Sequence, residues 1–165
     1  MSFPSVFTEV MGHFAKAFGL EALTPEADGA CQVVIDDSVV INFGWNPANE
    51  NLVLFSPVGT LADGSRAEVM AAMLKANLFW KETGGATLAL DSSGSVAVLN
   101  YQHPVARLDE STTRELAQWF FDTTNDWTSR LRDIQSGAGA SAAPHAELNQ
   151  YGRTLGMDFA MQFRA

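Results

Sequence analysis

The residues best suited to chemistry here are three histidines, one cysteine and one pair of adjacent acids. His13, His103 and His145 show none of the H-x-x-x-H, C-x-x-C or H-E-x-x-H spacings that hold zinc. Cys31 stands alone in an apolar run, where a cysteine is more often a packed side chain than a nucleophile. Asp36 and Asp37 have the composition of a solvated hairpin turn. We therefore expect no catalytic residues, no metal and no cofactor, and hence no enzyme.

Composition narrows the function further. A net charge of -9 with only ten Lys and Arg residues disfavours nucleic acid and anionic membranes, because both attract clustered positive charge. No G-x-S-x-G, Walker or G-x-G-x-x-G motif is present. The N-terminus lacks the basic and apolar regions of a signal peptide, and no apolar run reaches the roughly 18 residues of a membrane span. These features predict a cytoplasmic protein whose function lies in its surface.

Hydrophobic periodicity predicts the elements that build this surface. Apolar residues recur every three or four positions in residues 5–20 and again from Asp109 to Ile134, which indicates two amphipathic helices. Strands are predicted at residues 30–35, 39–45, 52–58, 87–90 and 95–102. Pro57 places the end of the third strand near an edge or a bulge. The predicted fold is α+β, in the order α-β-β-β-α-β-β-α, with an antiparallel sheet packed against helices.

The central helix, residues 69–80, is the most informative segment because it is apolar on nearly every side. Ser65 and Glu68 have the spacing of a capping box at its start, and Gly84-Gly85 can end it. A helix that is apolar on every side must be buried on every side, and this chain has few other helices or strands that could pack against it. We expect the cover to be a second copy of the chain, in a homodimer through this helix.

The domain is predicted to occupy residues 1–135. Residues 136–144 are rich in Gly, Ala and Ser, as in a flexible linker. In residues 145–165, Leu148, Tyr151, Leu155 and Phe159 keep a helical spacing that two glycines weaken. A short docking helix and a mobile tail are both compatible with this pattern.

Two surfaces are candidates for binding a partner. The first helix carries more aromatic side chains than anchoring requires, so part of its apolar stripe is either an open groove or core. The edge of the third predicted strand, residues 52–58, is a candidate for accepting a strand from a partner peptide.

With these elements in place, the sequence resembles the class I type III secretion chaperones, the Tir-chaperone-like (CesT-like) family. The resemblance lies in LKANLF (74–79), TGGATLALD (83–91), GSV (94–96) and the entry to the last helix from Pro104 to Asp109. It covers residues 2–134 and leaves the tail outside.

The resemblance implies a bacterial cytoplasmic homodimer that binds the N-terminal segment of a secreted effector in extended form and keeps it soluble and secretion-competent. It implies no cofactor. The implied effector-binding residues are Phe3, Phe7, Met11, Phe14, Phe18, Val40, Phe43, Leu54 and Phe55. The implied dimer residues are Met70, Met73, Leu74, Asn77, Leu78 and Trp80. The alternative function is a regulatory or sensory α+β domain that binds a folded protein. A small-molecule site is disfavoured, because the sequence shows no convergent group of polar residues.

Overall fold

The predicted order of helices and strands is present in the structure, and the α+β prediction is confirmed. The computed structural model describes residues 3–27 and 29–137, so the predicted tail and all but two residues of the predicted linker lie outside it. The elements are α1 (Ser5–Ala17), β1 (Cys31–Ile35), β2 (Val39–Asn46), β3 (Asn51–Thr60), α2 (Arg66–Asn77), β4 (Thr87–Leu90), β5 (Val96–Pro104) and α3 (Glu110–Gly137).

The five strands form one antiparallel sheet in the order β1-β2-β3-β5-β4. β3 is central because it pairs with β2 on one side and with β5 on the other. Residues 52–58 were a candidate site for an added strand, and the pairing of β3 on both sides excludes them. Pro57 is tolerated inside the sheet because the pairing with β5 shifts at a bulge between Pro57 and Gly59. The edges are β1 and β4.

α1 and α3 cover one face of the sheet, called here the helix face. The ring centroid of Phe7 lies 5.1 Å from that of Trp45, and the centroid of Phe14 lies 4.9 Å from that of Phe43. These contacts show that α1 packs along β2. α3 packs over β3, where Gly59 permits close approach because a Cβ there would lie only 3.3 Å from Leu131 Cδ2.

α2 joins the same core through the side that carries Val69, Met73 and Ala76. The predicted capping box does not form, because Ser65 ends a short 3-10 turn and its hydroxyl donates to Ala62 O. The helix also ends earlier than predicted. After Asn77 the chain forms a 3-10 turn, Leu78–Trp80, in which Phe79 takes a left-handed conformation with φ of 57°.

Two hairpin turns agree with their sequence signals. Asp36 and Asp37 have φ of 50° and 54° and connect β1 to β2. Asp91 Oδ1 accepts from the backbone N–H groups of Ser95 and Val96, both at 3.0 Å, between β4 and β5. Burial acts to raise the pKa of Asp91, but hydrogen bonds from Val96, Ser93 and Ser95 outweigh it and hold the pKa below its usual value.

α3 starts with Asp109, whose Oδ1 accepts from the Thr112 N–H at 2.8 Å as an N-cap. It continues to Gly137, two residues beyond the predicted domain boundary. None of the helices in residues 3–27 and 29–137 has the length and apolar content that a membrane crossing requires.

Gly84 and Gly12 provide a matched test of this fold. Gly84 has φ of +62°, and a Cβ there would lie 2.6 Å from Trp119 Nε1. We predict that Gly84→Ala lowers the free energy of unfolding by about 2 kcal/mol, because it adds left-handed strain and displaces Trp119 from Tyr101. A Cβ at Gly12 would meet no atom within 4 Å, so Gly12→Ala on the exposed side of α1 is expected to raise stability by about 1 kcal/mol. Urea denaturation of both variants measures these changes, and equal losses in the two would contradict the assignment.

Candidate functional site

Most of the exposed large apolar side chains in the described residues lie on α2 and the 3-10 turn that follows it. Its members are large apolar side chains that remain exposed, and together they are called here the α2 patch: Met70, Leu74, Leu78, Phe79 and Trp80. Met70, Leu74 and Leu78 are four residues apart and share one side of the segment. Leu74 is 70% exposed and Phe79 is 75% exposed. Contiguous apolar surface of this kind marks a site of interaction with another molecule.

The α2 patch contains four of the six residues predicted for the dimer interface. The other two have roles inside the protomer: Met73 is buried in the core, and the Asn77 side chain bonds to the backbone of Leu88. Phe79 is missing from the prediction. The sequence signal for it is the apolar run Leu78-Phe79-Trp80, whose composition predicts the last turn of a continuous helix and does not show the break at Phe79.

Asn77 also closes one edge of the sheet. Its Nδ2 donates to Leu88 O and its Oδ1 accepts from Leu88 N–H, both at 2.9 Å. These are the outward-facing backbone groups of β4, which a neighbouring strand would otherwise bond. Trp80 Nε1 donates to Thr87 Oγ1 at 3.3 Å on the same edge. β4 is thus capped by side chains from the segment that carries the α2 patch.

β1 is the other edge, and within the described residues it pairs only with β2. Its Val34 is 44% exposed. Half-buried Phe18 lies beside this edge, since its ring centroid is 6.3 Å from that of Phe43, and Phe43 pairs with Cys31. The β1 edge therefore combines free backbone pairing positions with partly exposed apolar side chains.

The effector-binding residues implied by the resemblance lie in the protein interior for the most part. On α1, Phe7, Met11 and Phe14 are fully buried, and Phe3 and Phe18 are half-buried against the core. The predicted sheet residues Val40, Phe43, Leu54 and Phe55 are all buried. The stripe on α1 is closed because α3 packs against α1 and the aromatic side chains of α1 lie on β2. An open groove along α1 is therefore corrected to core, with only its two ends accessible.

The residues considered for chemistry are on separate elements. His13 is on α1, Cys31 is on β1 and His103 is near the end of β5, while His145 lies outside the described residues. In residues 3–27 and 29–137, no group of three or more His, Cys, Asp or Glu side chains could hold a metal ion. The pKa of Cys31 is raised, chiefly by burial, with the Glu26 charge adding to it and a backbone hydrogen bond at Gln32 opposing it. A raised pKa disfavours the reactive thiolate.

A cleft of about 440 Å³ lies between α2 and α3. Its lining includes two acidic and two basic side chains. Of these, Arg130 is already engaged, because it forms an ion pair with Glu82 and its guanidinium carbon lies 4.6 Å from the centre of the Trp127 ring. The remaining lining is mainly alanine and exposed charge. The cleft therefore lacks the convergent polar groups of a small-molecule site.

Comparison with known proteins agrees with a binding protein of this build. The model of the Tir chaperone protein (CesT) family matches residues 10–128, more than half of the chain. A Chlamydia pneumoniae protein, CPj0713/CpB0740, is 34% identical over 129 residues, which cover 74% of this chain and 94% of that protein.

Solved structures share the fold at low sequence identity. A chain of the ExsC–ExsE complex has a TM-score of 0.66 and 19% identity, covering 79% of this chain and 97% of that one. A chain of the structure of the Yersinia pestis type III secretion chaperone SycH with a fragment of YscM2 has a TM-score of 0.60 and 23% identity, covering 74% of this chain and 98% of that one. A chain of the HopA1–SchA chaperone–effector complex has a TM-score of 0.61 and 18% identity, covering 75% of this chain and 94% of that one. Together with the family match, these likenesses confirm the resemblance found in the sequence, and the chain belongs to the Tir chaperone protein (CesT) family.

Proposed function

We propose that this protein is a type III secretion chaperone that works in the bacterial cytoplasm as a homodimer. It binds the N-terminal segment of a secreted effector in extended form and keeps it competent for secretion. The observation that carries the proposal is the family match over residues 10–128. The structural relatives include a chain of the HopA1–SchA chaperone–effector complex and a chain of the heterodimeric ExoU–SpcU complex of the type III secretion system of Pseudomonas aeruginosa. The surfaces of this chain are suited to binding protein segments, since they offer exposed apolar area and a sheet edge.

The homodimer is assigned to the α2 patch. An interface around a two-fold axis uses the same surface on both copies, so a single apolar patch can be covered by its own copy. The patch has no charged member, and its exposed aromatic residues, Phe79 and Trp80, are types enriched at the centre of protein interfaces. Burial of this patch would also shield the Asn77 and Trp80 contacts to β4 from water.

The effector segment is assigned to the β1 edge. An added strand would take its affinity from backbone hydrogen bonds to β1, and its alternate side chains would point to opposite faces of the sheet. On one face they would meet Phe18 and Cys31, and on the other Val34. β4 cannot serve in this way, because Asn77 already occupies the backbone groups of Leu88.

Binding of this kind needs only noncovalent contacts. The effector segment loses chain entropy when it becomes ordered, and preformed apolar surface on the chaperone offsets part of that loss. The net charge of -9 keeps a protein with exposed apolar surface soluble, and it favours basic or amphipathic segments over acidic ones.

The partner class is tested by affinity capture of the tagged full chain from its native cytoplasm, followed by mass spectrometry and light scattering of the complex. The expected result is one secreted protein held through its N-terminal region by two copies of this chain. A folded partner that binds through a globular surface would instead support the regulatory alternative.

Leu74→Asp tests the dimer interface. We predict that this variant is monomeric at micromolar concentration, because each copy loses about 2 kcal/mol of apolar burial and gains a buried charge at a two-fold interface. A total of about 4 kcal/mol corresponds to a roughly thousandfold weaker dimer. Light scattering measures the mass, and circular dichroism confirms the fold. Lys75→Asp, on the neighbouring exposed residue that faces the cleft, is the matched control and should stay dimeric. Leu74→Asp that remains dimeric would refute the assignment.

Val34→Asp tests the β1 edge against a control of the same residue type. Val34 and Val6 are 44% and 38% exposed, so neither change should unfold the domain. We predict that Val34→Asp weakens binding of the captured N-terminal segment about tenfold, through the loss of about 1.4 kcal/mol of apolar contact. Val6→Asp, on α1, should leave affinity unchanged. Titration by calorimetry measures both, and equal affinities for the two variants would place the segment elsewhere.

A further inference from the structure

The part of the chain that contains β1 carries charge of a single sign. Residues 17–65 contain seven Asp or Glu residues and no Lys or Arg. Lys16, the last cation before this stretch, already donates to Glu110 Oε2 at 3.0 Å. The sequence around β1 therefore supplies acidic charge without basic charge to balance it.

Acidic side chains lie at both ends of β1. Asp36 and Asp37 form the exposed turn that directly follows the strand. At the other end, Glu26 is exposed and belongs to a tight loop in which its N–H donates to Ala30 O at 2.8 Å. Burial is the main cause of the raised pKa of Cys31, and the Glu26 charge adds to it, which indicates that this carboxylate lies near the first residue of β1.

These three carboxylates are available to a partner. The ion pairs within the described residues all join other side chains, and none includes Glu26, Asp36 or Asp37. The opposite edge of the sheet differs, because Lys75 and Lys81 lie in the segment that precedes β4. A positively charged strand is therefore favoured at β1 over β4.

A strand added to β1 would meet apolar surface along its length and acidic charge at its ends. β1 has five residues, so its ends are about 13 Å apart. Half-buried Cys31 and Ile35 pack against the core, and alternate side chains of an added strand would lie over them. Exposed charges more than about 8 Å apart are largely screened at physiological ionic strength. Only residues just outside the five paired positions would therefore interact strongly with Glu26 and with the acidic turn.

We propose that the β1 edge selects an extended segment in which alternating apolar residues are flanked by Lys or Arg at both ends. The inference rests on the proposed function, in which an effector segment pairs with β1, and it adds the charge pattern of that segment. One flanking cation lies beside Glu26, and the other, about six positions away, lies beside Asp36 and Asp37. The opposite charges speed encounter and fix the register of the segment, which backbone pairing alone would leave free to slip.

Three synthetic nine-residue peptides test the charge pattern. KKVTVTVKK has the proposed pattern, EEVTVTVEE reverses the flanking charge, and VKTKVKTKV keeps the composition of the first peptide but distributes its lysines. Amide chemical-shift changes in the full chain locate each bound peptide, and titration gives its affinity. We expect KKVTVTVKK to shift the amides of residues 31–35 and to bind about fivefold more tightly than either of the other two peptides.

Two double variants separate the position of the charges from the net charge. Asp36→Asn with Asp37→Asn keeps the turn, because Asn tolerates the φ values of 50° and 54° that these residues adopt. This variant should weaken binding of KKVTVTVKK about fivefold and strengthen binding of EEVTVTVEE. Glu115→Gln with Asp126→Asn removes the same amount of charge from exposed positions on α3, and it should change both affinities by less than about twofold.

The outcomes separate this inference from the binding site on which it rests. Equal affinity of KKVTVTVKK and either other peptide at residues 31–35, or equal effects of the two double variants, would overturn the charge pattern and leave β1 as the binding edge. The absence of binding by any peptide, or shifts confined to other residues, would overturn both the pattern and the assignment of the segment to β1. Selective binding of KKVTVTVKK at β1 that depends on Asp36 and Asp37 would establish the pattern.

Discussion

The structure depends on how one short chain covers apolar surface on both sides of a five-stranded sheet. α1 and α3 cover the helix face, where Phe7 and Phe14 pack on Trp45 and Phe43 of β2. This packing uses the apolar sides of both long helices, so neither can cover the second face as well. α2 contributes one side to the same core and leaves its other side in solvent. The exposed α2 patch follows from this shortage of cover.

The two edges of the sheet differ in whether side chains cap their backbone groups. At β4 the side chain of Asn77 takes the place of a neighbouring strand, because its amide donates and accepts as a backbone peptide would. α2 ends at Asn77, and Leu78, Phe79 and Trp80 in the turn that follows are exposed. The same segment thus caps one edge of the sheet and carries three of the five residues of the α2 patch. β1 has no such side chain within the described residues, so it keeps the pairing capacity that an extended partner segment can use.

The sequence allowed the element order to be predicted because periodicity and turn residues are local signals. The positive φ of Asp36 and Asp37 and the N-cap at Asp109 are of this kind. The burial of Phe7, Met11 and Phe14 could not be predicted, because an apolar stripe looks the same whether another helix closes over it or not. Pro57 is compatible with an edge or a bulge, and only the tertiary pairing shows that β3 is central and that the bulge is the alternative present. Phe79 was missed because apolar composition does not show where a helix breaks.

The proposed dimer would link assembly to folding. α2 is apolar inward through Val69, Met73 and Ala76 and outward through the α2 patch, so a lone protomer exposes surface that favours collapse or aggregation. A second copy that binds only the folded protomer stabilises it by mass action, and the stability then depends on protein concentration. Asn77 and Trp80 form hydrogen bonds to β4, so a dimer interface on this segment would also stabilise the edge of the sheet. The β1 edge lies at the far side of the sheet, four strands away, so an effector segment could bind and leave without disturbing the dimer.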